Sequence, residues 1–129
     1  MYIVTGGAGF IGSVLIAALN KRKINDILVV DQLGCDYRWK NLCGLSFADY
    51  FDKDDFLEAI KTNKLNRIVE AVFHLGACSD TTEKDASYLM KNNFQYTKIL
   101  TQWAVSTGIR FIYASSAATY GNGAEGFST

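Results

Sequence analysis

Continuous apolar runs alternate along the chain with segments whose apolar residues recur every three or four positions. The runs at 2–4, 26–31 and around 71–74 predict strands that are buried on both faces, because neither face carries regular polar positions. The run at 109–116 predicts a further strand of this kind, and 44–50 predicts a weaker one, third in chain order. The pattern therefore predicts about five strands separated by helices.

The helical spacing predicts three helices between these strands. The first covers Phe10 to about Lys21, and the second spans 53–63 with Asp52 as its N-cap. The third is a long helix over 85–108, for which Gly108 is the expected C-terminal stop. The residues of this long helix expected to face the core are Met90, Phe94, Leu100 and Trp103.

Buried strands alternating with helices predict a parallel sheet covered on both faces. Right-handed crossovers then give a doubly wound, Rossmann-like α/β domain over residues 1–129. No repeat, low-complexity tract or linker divides the chain.

Charge and composition exclude several classes of function. Thirteen basic residues balance thirteen acidic ones, so no basic surface favours a nucleic acid or an anionic membrane. No apolar run has the length of a membrane span, and the first residues lack the features of a signal peptide, so a cytoplasmic protein is expected. Three cysteines without a CxxC pair, together with one histidine, predict buried or inert thiols and no metal site.

The turn after the first strand, VTGGAGFIGS, contains the most specific chemical signal. Gly6 allows a tight turn, Gly9 lets the backbone approach a pyrophosphate, and Gly12 lets the following helix pack closely. The N–H groups that open this helix then face the anion. With Asp31 at the end of the second strand, 19 residues after Gly12, the pattern predicts a dinucleotide site.

The residues leave the choice between NAD and NADP open. Asp31 can accept hydrogen bonds from ribose hydroxyls, which favours NAD and repels a 2′-phosphate. Arg38 and Lys53 follow at positions from which a phosphate can be bound, which favours NADP.

The segment TGGAGFIG resembles the signature of the extended short-chain dehydrogenase/reductase family of NAD-dependent epimerases and dehydratases. The resemblance is closest to one branch, the ADP-L-glycero-D-manno-heptose 6-epimerases of lipopolysaccharide inner-core synthesis. Five further segments resemble this branch: DILVVD, ADYFDKDDF, FHLGACSDTTE, NNFQYTK and FIYASSAATYG. The resemblance implies tightly held NADP, an ADP-heptose substrate that is oxidised and re-reduced at C6″, and a homo-oligomer.

Carried over position by position, the resemblance implies cofactor contacts from five parts of the chain: the glycine turn, the segment after the second strand, the start of the second helix, the end of the fourth strand and the long helix. Leu75 stands where an acidic residue is expected, so only its backbone contact is implied. His74 has no visible catalytic partner and is expected to be a satisfied core histidine. The implied cofactor contacts are Gly6, Gly9, Phe10, Ile11, Gly12, Asp31, Gln32, Arg38, Lys53, Leu75, Gly76, Ala77, Cys78, Ser79, Asn92 and Asn93.

The segment YASSAATYG ends the predicted fifth strand, at the edge of the sheet where ligands bind. Here the resemblance assigns Ser116 the role of the catalytic hydroxyl that polarises the substrate. The tyrosine base that accompanies it in the family, in a Tyr-x-x-x-Lys motif, does not occur in the sequence. The chain is therefore expected to be the N-terminal, cofactor-binding part of a longer enzyme, and to be inactive alone.

Two other functions stay open. A sugar 4-epimerase or dehydratase of the same family shares the cofactor half, so that only GACSDTTE and ASSAATYG distinguish it. A non-catalytic NADP-binding module, or the product of a degraded gene, agrees with the missing base.

Overall fold

The structure is a computed structural model that describes residues 1–78, 82–124 and 126. In these residues, parallel strands form one sheet in the order β3-β2-β1-β4-β5. The chain leaves β1 toward β2 on one side and returns to β4 on the other. The predicted doubly wound fold is thus confirmed, with its switch point between β1 and β4. The strands are β1 (Tyr2–Thr5), β2 (Ile27–Asp31), β3 (Asp49–Asp52), β4 (Ala71–His74) and β5 (Arg110–Tyr113).

The first two helices lie close to the predicted positions. Asp52 caps the second, as predicted, by accepting a hydrogen bond from the backbone N–H of Asp54 at 2.9 Å. Gly108 ends the last helix with a φ of +70°, a conformation that glycine adopts readily. The helices are α1 (Phe10–Lys21), α2 (Lys53–Lys61), α3 (Ala86–Leu89) and α4 (Tyr96–Thr107), and 3-10 turns cover Arg38–Leu42 and Ala117–Tyr120.

The long helix predicted over 85–108 is interrupted by a π-helical segment, Met90–Gln95, which we call the π segment. Its wider turn changes the angle between successive side chains, so residues in this segment leave the face predicted from α-helical spacing. Met90 and Phe94 are accordingly 52% and 56% exposed, and their predicted core positions are wrong. Leu100, which lies in α4, is fully buried as predicted.

The edge strands differ most from the prediction. β3 begins only at Asp49, near the end of the predicted run 44–50, and Gly44 at the start of that run adopts a φ of +78° that is incompatible with an extended strand. β5 ends at Tyr113, so Ser115 and Ser116 lie beyond the strand. β5 pairs with β4 alone in the described residues, and most of its side chains are exposed.

Both faces of the sheet are packed against helices. On one face the buried side chains of β1, β2 and β4 meet α2 and α4, where Phe56 and Leu100 are fully buried. On the other face Val4 and Val29 pack against Ile16 of α1. Complete burial of a large apolar side chain stabilises the fold by about 1.5–3 kcal/mol. These contacts fix the carboxyl ends of the central strands.

In the described part of the chain, no helix combines the length and apolar character needed to cross a membrane. Cys35 and Cys43 are exposed and Cys78 is half-buried, so of the predicted alternatives, buried or inert thiols, burial does not apply to the first two. Their polar, loop-rich surroundings supply no core to cover them. The described residues contain no group of His, Cys, Asp and Glu side chains that could hold a metal ion.

Candidate functional site

A cavity of about 400 Å³ opens at the carboxyl ends of β1, β2 and β4. This is the switch point of the sheet, where ligands of doubly wound domains bind. The residues that sequence reasoning singled out converge here from five separate segments. Those that line the cavity are Gly6, Gly9, Phe10, Ile11, Gly12, Asp31, Gln32, Arg38, Lys53, Leu75, Gly76, Ala77 and Asn92.

The remaining predicted residues lie elsewhere. Cys78 and Asn93 bond to each other behind the cavity wall. Ser79 lies outside the described residues. Ser116 follows β5, is exposed and does not line the cavity.

The three glycines of the turn are required for different steric reasons. A Cβ at Gly6, whose φ is +68°, would lie 2.7 Å from the Cα of Gly76, and a Cβ at Gly12 would overlap the carbonyl oxygen of Gly6. At Gly9 a Cβ would meet only that same oxygen, at 3.1 Å, and otherwise open space. Packing therefore requires glycine at positions 6 and 12. At position 9 glycine instead leaves bare backbone on the cavity wall.

The N-terminus of α1 opens onto the cavity. Gly9 is its N-cap and supplies no side-chain hydrogen bond. The first N–H groups of an α-helix have no partner within the helix and carry the positive end of its dipole. Phe10, Ile11 and Gly12, which carry these groups, all line the cavity, so this wall suits an anion.

The carboxylate of Asp31 is held by the backbone. Its Oδ2 accepts a hydrogen bond from the N–H of Ala8 at 2.8 Å, and its Oδ1 accepts one from the N–H of Gln32 at 2.7 Å. The hydroxyl of Tyr50 donates to the carbonyl oxygen of Asp31 at 2.8 Å. Each carboxylate oxygen keeps a second lone pair, so Asp31 joins β2 to the glycine turn and can still accept from a ligand hydroxyl.

Two cations, Arg38 and Lys53, also line the cavity. Nε of Arg38 donates to the carboxylate of Asp36 at 2.6 Å, and this bond raises the pKa of Arg38. Nζ of Lys53 donates to Oδ1 of Asn92 at 2.7 Å and lies 5.6 Å from the centre of the Tyr88 ring. With Asp31 as the one carboxylate among the described lining residues, the wall carries a net positive charge.

Asn93, in the π segment, holds the loop after β4 by its side chain. Its Oδ1 accepts from the N–H of Cys78 at 2.8 Å, and its Nδ2 donates to the carbonyl oxygen of the same residue at 2.9 Å. Oδ1 also accepts from Nδ2 of Asn92 at 3.0 Å. The two adjacent asparagines therefore have different roles: Asn92 lines the cavity, and Asn93 positions the backbone of the loop behind it.

His74 is buried and bonded through both ring nitrogens. Nδ1 lies 2.6 Å from Oγ1 of Thr5, and Nε2 lies 2.8 Å from Oγ1 of Thr97. The ring stacks against those of Tyr96 and Phe111, with centroids 5.9 and 5.7 Å away. Burial lowers the pKa of His74 to about 4. The prediction of a satisfied core histidine is confirmed.

Sequence reasoning missed four residues that line the cavity. Thr5 is the last residue of β1 and Val30 is the next-to-last residue of β2. Their positions could have been predicted, because ligands bind at the strand ends that meet at a switch point. Tyr88 and Tyr96 lie four residues before and after Asn92, but the π segment lies between them, so α-helical spacing gave no dependable signal for the face that they share. The Tyr96 hydroxyl donates to the carbonyl oxygen of Lys53 at 3.3 Å.

Ser116 is the N-cap of the 3-10 turn Ala117–Tyr120. Its Oγ accepts a hydrogen bond from the N–H of Ala118 at 3.2 Å, and its carbonyl oxygen accepts from the hydroxyl of Thr119 at 2.6 Å. Because the hydroxyl acts here as an acceptor, its own proton is free to be donated.

The cavity suits a dinucleotide. A pyrophosphate requires free N–H groups and close approach to backbone, which the N-terminus of α1 and the bare Gly9 provide. A ribose requires a fixed hydroxyl acceptor, which Asp31 provides. The residues present thus fit such a group by their chemistry as well as by their position.

The chain matches the NAD dependent epimerase/dehydratase family over residues 2–129. It is 52% identical over 128 residues to an ADP-L-glycero-D-manno-heptose-6-epimerase of Nitratidesulfovibrio vulgaris, covering 99% of this chain and 40% of the relative. It is 53% identical to a protein of the same name from Brachyspira hyodysenteriae, covering 98% and 40%. The chain thus spans about 40% of the length of the curated relatives it matches.

Solved structures agree with the fold. The UDP-glucose 4-epimerase of Thermotoga maritima, determined with UDP-glucose, superposes with a TM-score of 0.77 at 27% identity, covering 99% of this chain and 42% of the other. The Brucella ovis UDP-glucose 4-epimerase in complex with NAD gives 0.72 at 27%, covering 99% and 41%. On the match to the family model over nearly its whole length, the chain belongs to the NAD dependent epimerase/dehydratase family.

Proposed function

We propose that the chain is the cofactor-binding part of an NADP-dependent epimerase that converts ADP-D-glycero-D-manno-heptose to its L-glycero epimer in lipopolysaccharide inner-core synthesis. The observation that carries the proposal is the cavity, which is lined by an uncapped helix N-terminus, a fixed carboxylate and two cations. The identity of 52–53% to relatives that are named for this reaction supports the choice of substrate. A cytoplasmic homo-oligomer remains a prediction.

In this proposal the backbone N–H groups that open α1 bind the pyrophosphate, and Gly9 lets it approach. Asp31 accepts from hydroxyls of the adenosine ribose, and Gln32 lies beside it on the wall. Arg38 and Lys53 bind the 2′-phosphate that distinguishes NADP from NAD. The support for NADP is that both cations line the cavity and, among the described residues, Arg38 keeps its Nη groups without a partner.

The nicotinamide, when bound, supplies a reversible two-electron oxidation at C6″ of the heptose. The proposed part of Ser116 is to donate its hydroxyl proton in a hydrogen bond to the reacting oxygen, while Ala118 orients the hydroxyl from the other side. A serine does not move the proton by itself at neutral pH. The proposal therefore needs a base from outside these 129 residues, since the sequence has no Tyr-x-x-x-Lys.

The cofactor part of the proposal is tested by titrating the protein with NADP⁺ and NAD⁺ in a calorimeter. We expect NADP⁺ to bind more tightly. Gly9→Ala should weaken the binding of both by about 100-fold, because its methyl group occupies the approach to the phosphates, yet leave thermal stability near that of the wild type. Unchanged affinity in Gly9→Ala would place the dinucleotide elsewhere.

The substrate part is tested in a chimaera. Residues 2–129 replace the matching 128 residues of the Nitratidesulfovibrio vulgaris relative, and conversion of ADP-D-glycero-D-manno-heptose is followed by NMR. We expect activity, and we expect Ser116→Ala in the chimaera to lower turnover about 100-fold or more with NADP⁺ affinity kept. A well-folded chimaera that converts UDP-glucose instead would favour the 4-epimerase alternative.

A further inference from the structure

The hydrogen bonds around His74 have a direction that follows from the donors present. The Thr97 hydroxyl donates to the carbonyl oxygen of Asn93 at 2.6 Å, so toward Nε2 it can only accept. Nε2 therefore carries the ring proton. Nδ1 is then an acceptor, and the Thr5 hydroxyl donates to it.

The chain of bonds continues into the loop after β4. The backbone N–H of Gly76 donates to Oγ1 of Thr5 at 3.2 Å. Read from end to end, the order is Gly76 N–H to Thr5, Thr5 to His74, His74 to Thr97, and Thr97 to the Asn93 carbonyl oxygen. One tautomer of one ring thus joins a cavity-lining loop to the π segment.

Both ends of this chain belong to the cavity wall or to its support. Gly76 lines the cavity, and Asn93 clamps Cys78 two residues further along the same loop. His74 and Thr97 do not themselves line the cavity. An effect of either residue on a ligand must therefore pass through the position of the loop and of the π segment.

We propose that His74, as its neutral Nε2–H tautomer, is a positioning residue that sets the distance between the loop after β4 and the π segment. The ring is rigid, stacked against two aromatic side chains and satisfied at both nitrogens, so its length fixes that spacing. The consequence for NADP binding rests on the proposed function. The positioning itself does not, and it can be measured without a ligand.

The first test is spectroscopic. The chain has one histidine, so the two ring nitrogens of the ¹⁵N-labelled 129-residue protein give signals that need no assignment by mutation. Two-bond ¹H–¹⁵N correlations should show one tautomer, protonated at Nε2 and bare at Nδ1. A ring protonated at Nδ1, or averaged between tautomers, would overturn the proposal.

The second test removes one hydroxyl. Thr97→Val leaves Nε2–H without its acceptor and should mix the tautomers, make amide exchange at Gly76 about tenfold faster and weaken NADP⁺ binding about tenfold. Thr97→Ser keeps the hydroxyl and should restore all three signals. Thr101→Val is the matched control, since it removes a hydroxyl of the same helix that bonds the Thr97 carbonyl oxygen at 2.8 Å, outside the chain of bonds.

The outcomes separate the two proposals. Unchanged ring signals and Gly76 exchange in Thr97→Val, or equal changes in Thr101→Val, would contradict the positioning role. Wild-type protein that binds neither NADP⁺ nor NAD⁺ would contradict the proposed function, while ring signals and exchange still decide the role of His74. If Thr97→Val unfolds, the wild-type tautomer and the exchange rates of Thr97→Ser decide it.

Discussion

The two sides of the cavity are built in different ways. On the α1 side the wall is backbone: a glycine turn, the first N–H groups of a helix, and a carboxylate held by two more N–H groups. On the π-segment side the wall depends on side chains that reach between distant elements. Lys53 bonds to Asn92, Asn93 to Cys78, and His74 to Thr5, across 39, 15 and 69 positions of the chain.

This difference teaches where each side is vulnerable. A wall built of backbone is destabilised when a side chain is added, because there is no room for the new atoms. A wall built of side chains is destabilised when one partner is removed, because a buried polar group is then left unpaired. Substitutions that add atoms should therefore act on the α1 side, and those that delete polar atoms should act on the π-segment side.

The largest effect is expected for Gly12→Ala. The new methyl group would overlap the Gly6 carbonyl oxygen and lie 2.7 Å from the Cα of Gly7, so the backbone must move. We expect the free energy of unfolding to fall by about 4 kcal/mol in urea titrations. The control is Gly44→Ala, which has a positive φ but no neighbour within 4 Å, and which should cost about 1 kcal/mol. Equal losses of stability in Gly12→Ala and Gly44→Ala would show that the close contacts of Gly12 do not cause the effect.

Acid should act on the π-segment side through His74. Burial lowers the pKa of His74 from 6.5 to about 4. Between pH 6.5 and pH 4 the ring is therefore protonated in the unfolded chain and neutral in the folded one. The free energy of unfolding should therefore fall by about 3 kcal/mol as the pH drops from 6.5 to 4, with no contribution above that window.

The measurement is urea unfolding at several pH values, compared with His74→Gln, in which this dependence should be absent. An NMR titration of the ring gives the pKa directly. A midpoint near 6.5 would mean that the ring is solvated and that the side-chain wall is open there.

Removing the Asn93 clamp should cost less. Asn93→Ala deletes both bonds to the backbone of Cys78, and we expect a loss of about 2 kcal/mol in the free energy of unfolding. Asn92→Ala is the matched comparison. It deletes a bond to a lysine at the cavity surface and a bond to Oδ1 of Asn93, which keeps its bond from the N–H of Cys78, and it should cost about 1 kcal/mol or less. The reverse order would mean that the cavity-facing asparagine supports the wall.

The smallest effect is expected for Arg38→Ala. Removing the guanidinium should weaken NADP⁺ binding by about tenfold and leave NAD⁺ binding unchanged, because only NADP⁺ carries the 2′-phosphate. Arg38→Lys should keep part of the preference. Calorimetry at fixed salt measures both ratios. A parallel loss for the two cofactors would assign Arg38 to the shared part of the dinucleotide.

The same division explains what sequence reasoning could find. The extents of α1 and β4, the tight turn at Gly6 and the close contact of Gly12 with Gly6 depend on neighbours in the chain, and the pattern predicted them. The contact of Gly6 with Gly76 joins distant parts of the chain, and the pattern did not predict it. The π segment follows no local rule, so Met90 and Phe94 were assigned to the core by α-helical spacing. The partners of His74 lie far away in sequence, and only the assembled sheet brings them together.

β5 has a consequence for handling the protein. In the described residues its outer edge pairs with no strand, and Ile112 and Tyr113 are 43% and 59% exposed. Unpaired N–H and C=O groups beside apolar side chains offer a template to any other extended chain. At millimolar concentrations the protein should therefore associate through the outer edge of β5. Substituting Ile112 by a charged residue should reduce this association.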